Sequence, residues 1–239
     1  MRWWAAPGYS SKGRHLVVEQ RTARYPSRVV VLGPVIVFSI VDVMTAQTGD
    51  DATRWTILEE RVIDDTRKAK FSIAHVELPD GVQFEQYVLR LPKAAVVVVL
   101  NDNDEVLMMR RHRWIIDRWV WEMPGGYVDD HEEDASVSAV REVEEETGWR
   151  PRTMQFLCSF QPMVGTADAE NLLYLARGAD DTGAAPDINE AQQLKWIPLN
   201  EAVERIASGE IVGAASVVGI TQTKMIRDAE RRAQAAPAS

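Results

Sequence analysis

Arg141-Glu142-Val143-Glu144-Glu145-Glu146-Thr147-Gly148-Trp149 is the stretch on which the fold of this chain turns. Nothing between residues 133 and 147 breaks a helix, and Gly148 stands where a helix stop is expected, so a helix is read over 133–147. At about 100° per residue, Glu142, Glu145 and Glu146 share one sector of that helix. Val137, Val140 and Val143 take the opposite side, which is expected to face a core. Like charges three and four residues apart repel, by about 0.2–0.5 kcal/mol per pair. They also lie toward the negative end of the helix dipole. A hard divalent cation is the economical compensation, since Mg²⁺ takes oxygen ligands and shares them with phosphate groups. The plainer alternative is a solvated acidic face with Arg141 as local partner. Pro124-Gly125-Gly126 and Gly148 weigh against it, because they add constraints that a surface helix does not need.

Outward from this helix the chain reads mainly as strands. Residues 56–62, 71–78 and 82–91 are rich in β-branched and aromatic residues, with Asp80-Gly81 as a hairpin turn. Residues 94–100 form a continuous apolar run, as expected of a strand buried on both faces. A turn at Asn101-Asp102-Asn103-Asp104 leads to a partner strand at 105–110. Residues 154–160, 171–176 and 193–197 read as further strands. Asn200 is placed as the cap of a short helix ending near Gly209. Residues 214–230 read as a last helix, followed by a fraying tail.

The 239 residues carry 27 Lys+Arg and 36 Asp+Glu, a net charge of −9. That acidic balance argues against a general nucleic-acid binder, which needs surplus cations, while allowing a small anion held locally. A single cysteine, Cys158, excludes an internal disulfide and a cysteine-based zinc site, and fits a cytoplasmic protein. Residues 1–43 hold six basic and two acidic residues, so this leader is near +4 and the remainder near −13. Its apolar run, 29–41, is short for a membrane span and broken by Gly33-Pro34. A strand or unordered leader is the favoured reading. A true start at Met44 and a membrane anchor are the other two, and no membrane association is expected.

These residues resemble the Nudix hydrolases. The family's box runs from a glycine through a first Glu to Arg-Glu, an apolar residue, any residue, Glu-Glu, any residue and Gly. Here Gly126 is followed by the matching second half, Arg141–Trp149. The first half is one residue longer than the pattern, with Glu133 preferred to Glu132 as the first acid. Within the family the chain looks most like ADP-ribose pyrophosphatases and related nucleoside-diphosphate-sugar hydrolases, over roughly residues 55–210. Trp119-Val120-Trp121-Glu122-Met123-Pro124-Gly125-Gly126, the loop 160–170 and the segment 187–199 carry that likeness.

The resemblance implies an α/β fold: a Nudix-type α/β/α sandwich with a mixed central sheet, preceded by a small antiparallel β unit. Residues 44–92 would be an N-terminal dimerisation unit, 93–230 the hydrolase domain and 231–239 a disordered tail. It further implies Mg²⁺, with Mn²⁺ as a substitute, held by the Gly125 carbonyl and by Glu142, Glu145, Glu146 and Glu190. Glu145 would be a further ligand or would orient a metal-bound water. Glu145, Glu190 and Arg141 form the catalytic set. Arg113, Glu122 and Gly126 would contact substrate or order the site. Ile188 occupies a position where some members carry their general base, so Asp187, Glu190 or a helix glutamate would take that task, or the metal ions alone would activate water. The implied activity is hydrolysis of a nucleoside diphosphate linked to another group, ADP-ribose first, by a homodimer. Another nucleoside-diphosphate sugar, and a nucleotide sensor without turnover, are the rivals.

Several residues carry a second reading. Trp119 and Trp121 share a strand face and are expected in a core or a dimer surface rather than on a base, and Trp114 is weighed with them. Of Arg110, Arg111 and Arg113, only Arg113 is given a phosphate role, although alternation puts Arg111 beside it. Glu170 stands evenly between catalysis and an exposed loop acid. His112 and His131 are read as surface residues and Cys158 as core.

Overall fold

The computed structural model describes residues 53–129, 134–185 and 191–235. In chain order the elements are β1 (Thr56–Asp64), β2 (Lys70–Glu77), β3 (Gln83–Arg90), β4 (Ala94–Leu100), β5 (Glu105–Arg113), β6 (Arg118–Glu122) and β7 (Gly125–Tyr127). Helix α1 (Ala135–Thr147) follows, then β8 (Trp149–Pro151), β9 (Gln155–Phe160), β10 (Ala167–Asp168), β11 (Asn171–Arg177), β12 (Ala179–Asp181) and β13 (Gln193–Pro198). Helices α2 (Leu199–Ala207) and α3 (Ala214–Ala235) close the described chain.

The chain divides into two compact units. One takes the described residues up to Ile63 together with Ser72–Tyr87; the other takes Asp64–Phe71 and everything described from Val88. In the first, Gly81 adopts φ 81° in the Asp80-Gly81 turn, and the Leu78 N–H donates to the Val82 carbonyl at 2.8 Å. Trp55 meets Phe84 edge-on, with ring centroids 5.7 Å apart. Along β1 nearly every residue is exposed, Trp55 just before it and Ile57, Leu58, Val62 and Ile63 within it included.

In the second unit a seven-stranded sheet follows the order β13-β5-β4-β11-β9, with β6 paired to β5 and β7 to β4. β4 and β11 are parallel, with Ala94 opposite Asn171 and Leu100 opposite Arg177, while β13 and β9 run antiparallel to their neighbours. The apolar run of β4 explains the layering. Val96, Val98 and Leu100 point into one core with Ile220 of α3 and Ala202 of α2, and Ala95, Val97 and Val99 into another with Ala139 and Val143 of α1. Alternation along one buried strand therefore serves helices on both faces. This is an α/β architecture with a mixed sheet between helices.

Four expectations are corrected. Helix α1 starts at Ala135, with the Asp134 carboxylate accepting from the Ser136 N–H at 2.9 Å. Its core side holds Ser138, Ala139, Val143, Glu146 and Thr147, whereas Val137 is 55% exposed. The acidic sector therefore overlaps the buried face instead of opposing it. Asn200 does not cap α2, which begins one residue earlier at Leu199, whose N–H donates to the Asp104 carbonyl. Finally, α3 continues to Ala235, five residues into the segment expected to fray, where Arg231 pairs with Asp104 and extends the helix's anchorage.

Candidate active site

The site is built where β5, β6 and β7 face α1. Glu146 lies in the last turn of α1 and is only 5% exposed. One of its oxygens accepts from the Gly125 N–H at 2.8 Å, and the other from the Arg111 guanidinium at 3.1 Å. A buried carboxylate near a helix C-terminus is held by these donors against both desolvation and the dipole. The Arg111 guanidinium also stands 4.0 Å from Glu122, whose carboxylate takes a fork of hydrogen bonds from Arg113, at 2.8 and 3.1 Å from Nε and 2.6 Å from a terminal nitrogen. Glu146, Arg111, Glu122 and Arg113 thus alternate in charge across the strands.

Arg141 organises a second, shallower group. It donates to Asp129 at 2.8 Å and to Glu145 at 3.0 Å, and stands 3.2 Å from Glu142. Burial opposes its charge, but the three carboxylates outweigh that and push its pKa up. Glu142 is less exposed than Glu145. Burial pushes its carboxyl above the ordinary value; the Arg141 charge works against that shift and the Glu145 charge adds to it.

Glycines set the approach of helix and strand. A Cβ at Gly126 would stand 2.5 Å from the Glu142 carboxylate carbon, so that carboxylate occupies the space a side chain would need. A Cβ at Gly125 would collide with the Ala95 carbonyl of β4. Gly148 ends α1 at φ 74° and donates to the Glu144 carbonyl.

Of the sequence-predicted residues, the structure brings Gly125 to Glu146, Gly126 to Glu142, Arg141 to Glu142 and Glu145, and Arg113 to Glu122. It does not gather the three glutamates around one point: Glu146 turns inward and Glu145 outward. Among the described residues no group of three or more His, Cys, Asp or Glu side chains is arranged to hold a metal ion. Glu132, Glu133, Asp187, Ile188, Glu190 and His131 lie outside the described residues, as do residues 1–52 with the whole leader. The donor set nonetheless fits a hard cation, being carboxylate and carbonyl oxygen throughout, with Glu142 seated in the cradle that Gly126 leaves open. The residues that could hold it are Glu142, Glu145, Glu146 and the Gly125 carbonyl.

Sequence reasoning missed Arg111 and Asp129. Alternation puts Arg111 on the face of Arg113, yet only Arg113 is given a phosphate role from the sequence; β5 runs to Arg113, and the structure sets Arg111 beside Glu122 and Glu146. Glu170 pairs with Lys93 at 2.7 Å. Trp121 is buried and carries Arg205 on its ring, whereas Trp119 is half exposed beneath Arg110 and beside His112. Trp114, at the hairpin tip, is 78% exposed. His112 also lies 3.2 Å from Asp117, and Cys158 is half buried against the α2/α3 core.

The family model of the NUDIX domain matches residues 90–213. A CMP-5'-(N-acetyl-N-hydroxy-3-aminopropyl)phosphonate hydrolase of Streptomyces rubellomurinus is 46% identical over 167 residues, covering 70% of this chain and 81% of that protein. An ADP-ribose pyrophosphatase of Mycobacterium tuberculosis is 30% identical over 147 residues, covering 61% of this chain and 71% of its own length. A solved structure described as an ADP compounds hydrolase superposes with a TM-score of 0.65 at 18% identity, over 74% of this chain and 96% of that one. The chain belongs to the Nudix family and is a hydrolase of that class. Among the described residues no helix is long and apolar enough to cross a membrane.

Proposed function

We propose that this enzyme hydrolyses the phosphoanhydride joining a nucleoside monophosphate to a second phosphorus-bearing group, with Mg²⁺ as cofactor and Mn²⁺ as a substitute. ADP-ribose is the leading substrate, consumed with one water to give AMP and ribose 5-phosphate. The observation that carries this reading is Glu146, kept as a buried acid between Arg111 and the Gly125 N–H, one helical turn from Glu142 in its Gly126 cradle. Glu142, Glu146 and the Gly125 carbonyl would hold the ion, joined by Glu190 on the family likeness. Once bound, the ion supplies neutralisation of the diphosphate and a lower barrier to attack by water. Glu145, exposed and paired with Arg141, would take the proton of that water. Arg113, its guanidinium held by Glu122, would contact a phosphate oxygen of the substrate.

A second reading, favoured by the 46% identity to the CMP-phosphonate hydrolase, is a cytidine nucleotide joined to a phosphonate. A panel of ADP-ribose, other nucleoside-diphosphate sugars and a CMP-linked phosphonate, assayed with and without Mg²⁺ and with products identified, tests both. Preferred turnover of the CMP-linked phosphonate selects the second; no turnover across the panel leaves a nucleotide sensor. The same reading makes residues 44–92 a dimerisation unit of a cytoplasmic homodimer, supported by the exposed apolar side chains along β1. Light scattering on the full chain should return twice 26.9 kDa, and a monomeric mass would overturn it.

A further inference from the structure

We propose that Arg111 is a built-in counter-cation that stands in for the divalent ion at Glu146 and so sets how tightly that ion is bound. The inference rests on the metal reading above and goes beyond it, because it assigns a positioning role to a residue outside the Nudix box.

Arg111 is 9% exposed, and burying a guanidinium is costly unless it is paired and hydrogen-bonded. Among the described residues it meets the two least exposed acids of the site, Glu146 at 3.1 Å and Glu122 at 4.0 Å. Glu122 already receives a full fork from Arg113, so of these two acids Glu146 is the one on which the Arg111 charge acts more. Glu146 has the opposite need. Its Gly125 N–H supplies a hydrogen bond but no net charge, and the helix end beneath it is negative. Arg111 is therefore a fixed positive charge in direct contact with this carboxylate. Together with the Gly125 N–H it holds the Glu146 side chain aimed at β7 before any ion arrives, and that readiness spares the site a rearrangement on binding. The same charge repels a second cation. The structure thus balances a preformed ligand against a weakened affinity, and the exchange of ion for substrate and product is eased.

The test uses the full chain without substrate, titrated with MgCl₂ by calorimetry and by thermal unfolding. Arg111→Gln keeps a hydrogen-bond donor and removes the charge; its Mg²⁺ dissociation constant should fall about tenfold, the size expected of one nearby unit charge in a partly screened site. In EDTA the variant should melt below the wild type, and saturating Mg²⁺ should close much of that gap. Arg111→Lys keeps the charge and should restore a near-wild-type constant. A purely structural arginine would instead lower the melting temperature equally with and without Mg²⁺ and leave the constant unchanged, which overturns the proposal. A tenfold shift in Arg111→Lys also overturns it, because geometry and not charge would then set the affinity. Should Arg111→Gln not fold in EDTA, refolding with Mg²⁺ decides: recovery supports the role, and failure in both buffers overturns it. A wild type that binds no divalent ion sinks this inference and the metal reading together. An ion-binding wild type that turns over no member of the panel sinks only the proposed function.

Discussion

Two ion networks meet on α1 and differ in depth. The inner one, Arg113–Glu122–Arg111–Glu146, runs inward from a half-exposed Arg113, with the Glu146 and Glu122 side chains 7% and 13% exposed. The outer one joins Asp129, Arg141, Glu142 and Glu145, and its Glu145 side chain is 60% exposed. Three glutamates within five residues thus meet three environments. Burial strengthens each electrostatic contact and raises the penalty for leaving one unmade, so the inner network can fix geometry while the outer one can move with substrate.

The sharpest way to break that contrast is Glu146→Gln. The amide oxygen can still accept from Gly125, but Arg111 keeps its charge with its nearest anion gone. Removing one partner of so buried a pair should cost about 3 kcal/mol of stability. Turnover on the substrate found should fall about a thousandfold, since an ion-holding carboxylate is lost. Denaturant titration and steady-state rates check the two effects separately. A variant as stable as the wild type would remove the inner pair as a structural element; one with near-wild-type rate would remove Glu146 from the ion's ligands.

Glu142 sits between the two depths and should respond to pH. Its carboxyl is raised above the ordinary 4.5, first by burial, so the folded protein holds its proton more readily than the unfolded chain. The resulting stability is complete below 4.5 and is lost as pH rises through the elevated value. In EDTA, the melting temperature of the wild type minus that of Glu142→Gln should therefore decline as pH rises across that window. Mg²⁺ should flatten the trend by stabilising the ionised form. A difference independent of pH in EDTA would show that Glu142 is as well solvated folded as unfolded.

Much of this was legible in the chain, for reasons particular residues make plain. The six-residue core of β4 could be read because an unbroken apolar run has no other home, and Gly148 marked the end of α1 because the αL stop is a local property. Glu142, Glu145 and Glu146 could be named from their spacing and from the family's box. Their depth could not, because it depends on what lies across the gap. Val137 looks as apolar as Val143, yet β4 packs against only one side of the helix. Arg111 looked like a solvated strand-end arginine until β6 and α1 closed over it. Ranking the three acids required the tertiary partners, Gly125 from β7 and Arg111 from β5, which are 21 and 35 residues from Glu146.

The outer network supplies the smallest expected effect on stability and the cleanest separation of folding from chemistry. Glu145→Gln removes a charge that is mostly in water and that Arg141 can replace with Asp129 and Glu142, both within its reach. An exposed pair of this kind contributes about 0.5 kcal/mol or less, so unfolding should hardly change. Turnover should nonetheless drop, because the amide cannot accept the proton of the attacking water. The loss should appear in kcat, with KM little altered, since Glu145 contacts neither Arg113 nor Glu122. A stability loss matching that of Glu146→Gln would erase the distinction between the two depths. An unchanged kcat would move the proton acceptor away from α1, toward the acids of residues 187–190.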